Sequence, residues 1–104
     1  MWIELLCFFL GGGFLANAIP HFVNGVSGRP FQSPFASPPG KGLSSGPVNV
    51  FWGTANLVAA YALLRFVGEF HLADWRDAAA AGLGFFATGM FLGSYFGRFH
   101  GTGS

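Results

Sequence analysis

The chain has 104 residues, of which 52% are hydrophobic and only 9% are charged, and its mean hydropathy is +0.50. A soluble domain usually carries about 25% charged residues, so this composition excludes a surface that water solvates evenly. The net charge of +1 argues against a nucleic-acid binder, and the single cysteine excludes an intramolecular disulfide framework and an all-cysteine metal site. Length and composition therefore favour a single membrane domain over residues 1–104.

Uncharged stretches predict three membrane-spanning helices. No Asp, Glu, Lys or Arg occurs in 5–23, 42–64 or 78–97. Each stretch supplies the roughly 17–25 residues that a spanning helix needs. The predicted fold is all-α, an integral membrane protein with helices over approximately 3–23, 48–67 and 77–97.

Several residues mark the predicted helix ends. Pro47 suits the first turn of the second helix, because proline there sacrifices no needed N–H group. Asp74 is a candidate N-cap for the third helix, and Gly25 a candidate stop for the first. Pro20 lies inside the first helix and predicts a kink there.

The first connection, residues 24–47, contains five of the six prolines and is rich in Ser and Gly. Its prolines exclude a continuous helix. However, Phe31 and Phe35 lie beside prolines, and such aromatic residues are not typical of a flexible polar linker. We expect an ordered loop that lies in the headgroup region or folds back over the helices. The alternative is a disordered loop with incidental aromatic residues.

Three spans place the two termini on opposite sides of the membrane. The amino-terminal side then sums to −2 and contains all four acidic residues, whereas the side with the first loop and the tail sums to +3. Topology follows Lys and Arg rather than net charge, and these number three on the loop side against two on the other. We therefore expect the first loop and the carboxyl terminus to be cytoplasmic.

Glycine recurs every four residues along the third helix. The predicted packing residues are Gly89, Gly93, Gly97 and Gly101. Lipid offers little hydrophobic force between helices, so close backbone contact through glycine becomes the means of association. This stripe predicts packing within one protomer or between protomers, and a pore lined by glycine backbone is the alternative.

Polar residues form a stripe on each of the first two helices. The stripes are Gly13, Asn17, His21 and Asn24 on the first helix and Asn49, Gly53, Asn56 and Ala60 on the second. Both spacings follow the helical period, and an amide facing lipid would lack partners, so both faces are expected to turn inward. They predict interhelical hydrogen bonds or, as the alternative, a niche for an ion, a lipid headgroup or a small ligand.

His21 and His100 are the two histidines on the predicted loop side, and His100 completes the candidate niche. Two histidines from different helices can ligate haem or a metal ion. No carboxylate or thiolate is expected near them, so we predict neither a metal site nor a cofactor. The sequence also lacks a nucleophile elbow, a His-Glu-x-x-His motif, a phosphate loop and a dinucleotide fingerprint, so we do not expect an enzyme.

Four segments carry a resemblance to other proteins: 17–25 (NAIPHFVNG), 29–35 (RPFQSPF), 45–53 (SGPVNVFWG) and 96–101 (FGRFHG). They resemble a group of small, uncharacterised bacterial multi-pass membrane proteins. The resemblance implies a location in the bacterial inner membrane and carries over no catalytic or binding residue.

Two functional hypotheses follow from these patterns. The first is an interaction protein in the lipid bilayer, which assembles through glycine-rich helix faces as a homo-oligomer or as an accessory subunit of a larger membrane complex. The second is a binding or transport module that uses the Asn and His niche between the first two helices.

Overall fold

The computed structural model describes residues 2–100, which form three helices and one short strand pair. The elements are α1 (Trp2–Val26), β1 (Phe31–Gln32), β2 (Leu43–Ser44), α2 (Gly46–Arg65) and α3 (Trp75–Gly97). By length and composition, all three helices are able to cross a membrane. The predicted all-α class with three such helices is confirmed, whereas the strand pair was not expected from the sequence.

Capping explains why two helices begin earlier than predicted. The Ser45 side chain accepts a hydrogen bond from the Val48 backbone N–H at 3.4 Å, with Pro47 in the first turn of α2. Asp74 caps α3 by accepting from the Arg76 backbone N–H at 2.9 Å. Side-chain oxygens at these positions satisfy N–H groups that have no partner inside the helix. Both helices therefore start two residues before the predicted positions.

The carboxyl-terminal end of α1 differs from the prediction. Gly25 is not the stop, because it lies inside the helix and packs against the backbone of α2. The left-handed residue is Gly28, with φ of 77°, and its N–H donates to the Gly25 carbonyl at 3.0 Å. A left-handed backbone favours glycine because it has no Cβ. The helix thus continues past Pro20 and ends at Val26.

Helix α1 is the centre of the fold, since α2 and α3 pack chiefly on it within residues 2–100. Helix α2 runs antiparallel to α1, so that Gly25 lies beside Val50 and Gly11 lies beside Leu64. Helix α3 runs parallel to α1, and its Gly84 lies against the Phe9 backbone. This up-down-up order brings the start of α1, the end of α2 and the start of α3 to one end of the molecule.

The chain between α1 and α2 folds back over the other end of the helices. Strands β1 and β2 pair antiparallel, with Phe31 opposite Ser44 and Gln32 opposite Leu43. Phe31, Gln32 and Ser33 are buried, and the Phe31 ring lies 4.6 Å from the Phe96 ring of α3. The strand pair thereby covers the helix ends. The part outside the helices is 27–45, shorter than the predicted 24–47 because α1 and α2 each extend into it.

Large apolar side chains cover the outside of the helices. Ile19 on α1, Phe51 and Val58 on α2 and Phe86 and Phe91 on α3 are all exposed. Few apolar side chains are left to build a core, and the fully buried side chains include Asn49 and Asn56. An apolar exterior around buried, paired polar side chains is compatible with a hydrocarbon environment.

Candidate functional site: a polar seam and a glycine groove

The polar stripes of α1 and α2 meet in a seam of hydrogen bonds. The Asn17 amide nitrogen donates to Asn56 Oδ1 at 2.9 Å, and the Asn56 amide nitrogen donates to the Trp52 carbonyl at 2.8 Å. One turn further along α1, His21 Nδ1 lies 2.9 Å from Asn49 Oδ1. The buried residues of α2 are Gly46, Asn49, Gly53, Asn56 and Ala60, and they include every member of the stripe that the spacing predicts to turn inward.

Asn49 connects the seam to the connecting chain. This side chain is 0% exposed, and its amide nitrogen lies 3.1 Å from the Phe31 carbonyl, 3.2 Å from that of Ser44 and 3.1 Å from that of Ser45. The two hydrogens of this nitrogen are shared among the three carbonyls, and Asn49 Oδ1 is the acceptor for His21. One buried amide thus ties α1, α2 and both strands together.

Three aromatic rings lie around His21. The rings of Phe31, Trp52 and Phe96 approach the imidazole edge-on, with centroid distances of 5.5 Å, 6.4 Å and 5.9 Å. His21 itself is only 3% exposed. Each ring comes from a different element, so no sequence spacing could have predicted this group. The aromatic residues of the proline-rich segment were the one available signal.

Asn24 and His100 lie outside the Asn17–Asn56 and His21–Asn49 pairs. The Asn24 amide nitrogen donates to the Pro20 carbonyl at 2.7 Å, and its Oδ1 accepts from Arg29 Nε at 3.0 Å. His100 Nε2 lies 2.8 Å from Gln32 Oε1, and its ring stacks on Phe31 at 5.0 Å. His100 therefore fastens the end of α3 to β1. In residues 2–100, no three His, Cys, Asp or Glu side chains are grouped to hold a metal ion.

The buried polar atoms of the seam all have partners. Over residues 2–100, every side-chain nitrogen or oxygen that is buried has a hydrogen-bond partner. An unmet polar group in a low-dielectric interior costs roughly 1–3 kcal/mol, so this pairing stabilises the helix contacts. The geometry favours interhelical hydrogen bonding as the role of Asn17, His21, Asn49 and Asn56.

The glycines at the helix crossings differ from those of the predicted stripe. A Cβ added to Gly12 would meet the Ala81 carbonyl, and a Cβ on Gly84 would meet the Phe9 carbonyl. Between α1 and α2, a Cβ on Gly53 would lie 2.7 Å from the Phe22 backbone nitrogen. These three positions allow the backbones to touch, which is how small residues act in membrane helices.

Gly89 and Gly93 make no such contact. A Cβ at either position would have no neighbour within 4 Å. Both residues instead line an apolar groove of about 420 Å³ between α1 and α3, with Ala16 and Ile19 on its other wall. Gly97 is partly exposed at the last residue of α3, and Gly101 lies outside the described residues.

Charged residues gather at the end of the molecule opposite the strand pair. They line a cavity of about 410 Å³ with Glu4, Glu69, Asp74 and Asp77 among its walls. Asp77 is buried, and its carboxylate accepts from the His71 backbone N–H at 2.9 Å. These contacts fix the turn between α2 and α3.

Tyr95 fastens the connecting chain to α3. Its hydroxyl donates to the Gly40 carbonyl at 2.8 Å. In a Tyr95→Phe variant that carbonyl loses its donor, and we expect about 1 kcal/mol less stability for the closed chain. Lys41 adjoins the contact, so the measurement is the rate of trypsin cleavage after Lys41, which should rise several-fold. The control is Tyr61→Phe, since Tyr61 is exposed on α2; equal rates in the two variants would contradict the role of Tyr95.

Comparison with protein-family models, curated proteins and solved structures finds no match for this chain. The resemblance of its four segments to small bacterial membrane proteins therefore stays a prediction. The class of the protein rests on its own helices and contacts.

Proposed function

We propose that this chain is a small integral membrane protein of the bacterial inner membrane that acts by associating with other transmembrane helices. It forms a homo-oligomer or serves as an accessory subunit, and the proposal assigns no catalytic step to any residue. Support for the membrane setting comes from three helices of spanning length and from apolar side chains exposed along all of them.

The observation that carries the proposal is the open space beside Gly89 and Gly93. Glycine in a helix interior is less stable than alanine by roughly 0.5–1 kcal/mol, and here no contact within the described chain compensates for that loss. Two glycines four residues apart on one helix face allow a second helix to approach its backbone closely. The groove beside them is apolar and is lined mainly by residues of α1 and α3.

The charges support one orientation in the membrane. Arg29, Lys41 and Arg98 lie at the end with the strand pair, and all four acidic residues lie towards the other end. Positively charged ends of short membrane proteins remain in the cytoplasm. We therefore propose that the connecting chain and the carboxyl terminus face the cytoplasm.

The test is the oligomeric state of the full chain in lipid bilayers. We expect the wild-type protein to form oligomers whose population rises with the protein-to-lipid ratio, measured by single-molecule photobleaching in liposomes. Gly89→Ile with Gly93→Ile should weaken association at least tenfold, because two branched side chains would hold the helices apart. The matched control is Ala87→Ile, which adds the same side chain about 200° around α3 at an exposed position and should associate like the wild type.

Two outcomes would contradict the proposed self-association. One is a wild-type chain that stays monomeric at every protein-to-lipid ratio. In that case lipid acyl chains, and not a second helix, would fill the groove. The other is a double variant that associates as strongly as the Ala87→Ile control.

A further inference from the structure

A second cavity lies beside the polar seam, on the side that faces α3. It measures about 180 Å³ and is lined by residues of all three helices and the connecting chain. Asn17 and His21 form its α1 wall, Trp52 and Tyr95 come from α2 and α3, and Gln32 comes from β1. The Tyr95–Gly40 hydrogen bond holds the connecting chain over this space.

The directions of the hydrogen bonds show which polar atoms of the cavity-lining residues have no hydrogen-bond partner. The Asn56 nitrogen donates to the Trp52 carbonyl, so Asn56 Oδ1 is an acceptor and Asn17 uses its nitrogen to reach it. The Asn17 Oδ1 lone pairs then have no partner among residues 2–100. That atom is not among the buried atoms of the described chain, because each of those has a partner. Asn17 Oδ1 is therefore accessible, and Asn17 is one of the residues that line the cavity.

The same reasoning identifies a second acceptor without a partner, on His21. Asn49 Oδ1 accepts, so His21 Nδ1 carries the hydrogen of that bond, and a neutral imidazole then has its lone pair on Nε2. Nε2 forms no hydrogen bond within residues 2–100 and, by the same argument, is accessible. Residues 17 and 21 are one turn apart on α1, with backbones about 6 Å apart along the helix axis, so both acceptors belong to the same helix face.

The remaining walls define the chemistry of a ligand. No Asp, Glu, Lys or Arg lines the cavity, and an unpaired ion in such a site would cost several kcal/mol. Trp52, Tyr95 and Phe96 present aromatic surface, which suits a flat apolar body. The volume corresponds to about six water molecules at roughly 30 Å³ each, which is smaller than a drug-sized pocket.

We propose that this cavity binds a small uncharged aromatic alcohol, whose hydroxyl donates a hydrogen bond to His21 Nε2 or Asn17 Oδ1 while its ring lies among Trp52, Tyr95 and Phe96. Gln32 complements such a ligand. Its Oε1 is hydrogen-bonded to His100, so its amide nitrogen is available to donate to the hydroxyl oxygen of the ligand. The site shares Phe96 with the glycine groove but does not use Gly89 or Gly93.

Phenol is the probe for this site, and anisole, which has the same ring but no hydroxyl hydrogen, is its matched control. The full chain with ¹⁵N-labelled histidine is reconstituted in lipid nanodiscs, and the ring nitrogen shifts are measured by NMR. We expect phenol to shift His21 Nε2 with a saturable dependence and a Kd of about 1 mM, at least tenfold tighter than anisole. His71 lies at the opposite end of the molecule and is the internal control whose shifts should stay constant.

Binding is also measured with two variants. His21→Phe removes the acceptor and should weaken phenol binding at least tenfold, and Asn17→Leu provides a second test if the first variant does not fold. Equal shifts with phenol and anisole, a shift that never saturates, or no shift at His21 would each overturn the proposal. Tighter binding of benzylammonium than of phenol would overturn the uncharged ligand class.

Discussion

A Gly84→Ala substitution is expected to separate α1 from α3 and to reduce the free energy of unfolding by about 3 kcal/mol or more. The added Cβ would meet the Phe9 carbonyl, and it would lie 2.7 Å from the carbonyl carbon and 3.1 Å from the Phe9 Cα. These are backbone atoms, so no side-chain rotation relieves the overlap and the helices must move apart. Unfolding by steric trapping in lipid bicelles measures the effect.

The matched control is Gly82→Ala, the same chemical change two residues earlier on α3. No atom lies within 4 Å of a Cβ there, so alanine should stabilise the helix by up to about 1 kcal/mol. The reciprocal variant Gly12→Ala should resemble Gly84→Ala, because its Cβ would meet Ala81 across the same crossing. Equal stabilities of the Gly82→Ala and Gly84→Ala proteins would contradict the close α1–α3 contact.

Replacing Asn49 with leucine is expected to destabilise the protein by about 3 kcal/mol. Leucine has nearly the same size but donates nothing to the Phe31 and Ser44 carbonyls and accepts nothing from His21 Nδ1. The Ser45 carbonyl keeps one donor, the Asn49 backbone N–H at 3.1 Å. The loss should therefore loosen both strands as well as the α1–α2 contact.

Two measurements distinguish this effect from a general weakening of α2. The unfolding free energy should fall, and trypsin should cleave after Lys41 faster than in the wild type, because the strand pair has lost its anchor. Thr54→Ala, at an exposed position of the same helix, should change stability by less than about 0.5 kcal/mol. A stable Asn49→Leu protein with wild-type cleavage would show that the amide does not hold the connecting chain.

The polar seam was largely predictable from helical periodicity. Asn17 and His21 are four residues apart and Asn49 and Asn56 are seven apart, each pair in a stretch without charged residues. Amides facing lipid would lack partners, so their inward direction follows from the sequence. The pairing across the seam was not predictable. Asn17 meets Asn56 and His21 meets Asn49 only because α2 runs antiparallel to α1 at one particular offset.

The glycines also show that contacts between helices cannot be predicted from the spacing within one helix. A repeat of every fourth residue marks Gly89 and Gly93, yet the backbone crossings use Gly12, Gly53 and Gly84, of which only Gly53 lies in a stripe predicted to turn inward. Every glycine offers the same small volume, and which of them meets another backbone depends on where two helices cross. That crossing is a property of the packed helices and leaves no mark in the spacing of one of them.

The apolar content and the positions of nine charges predicted three long apolar helices, because charged residues limit where such helices can lie. The capping contacts of Ser45 and Asp74 account for helix starts two residues earlier than predicted, since their side chains act on N–H groups within one turn. The tertiary fold was needed to show that Asn49 holds the strand pair, that aromatic rings from three elements surround His21, and that Gly89 and Gly93 remain open. These features join residues far apart in the chain, and their positions are set by the packing of whole helices rather than by local spacing.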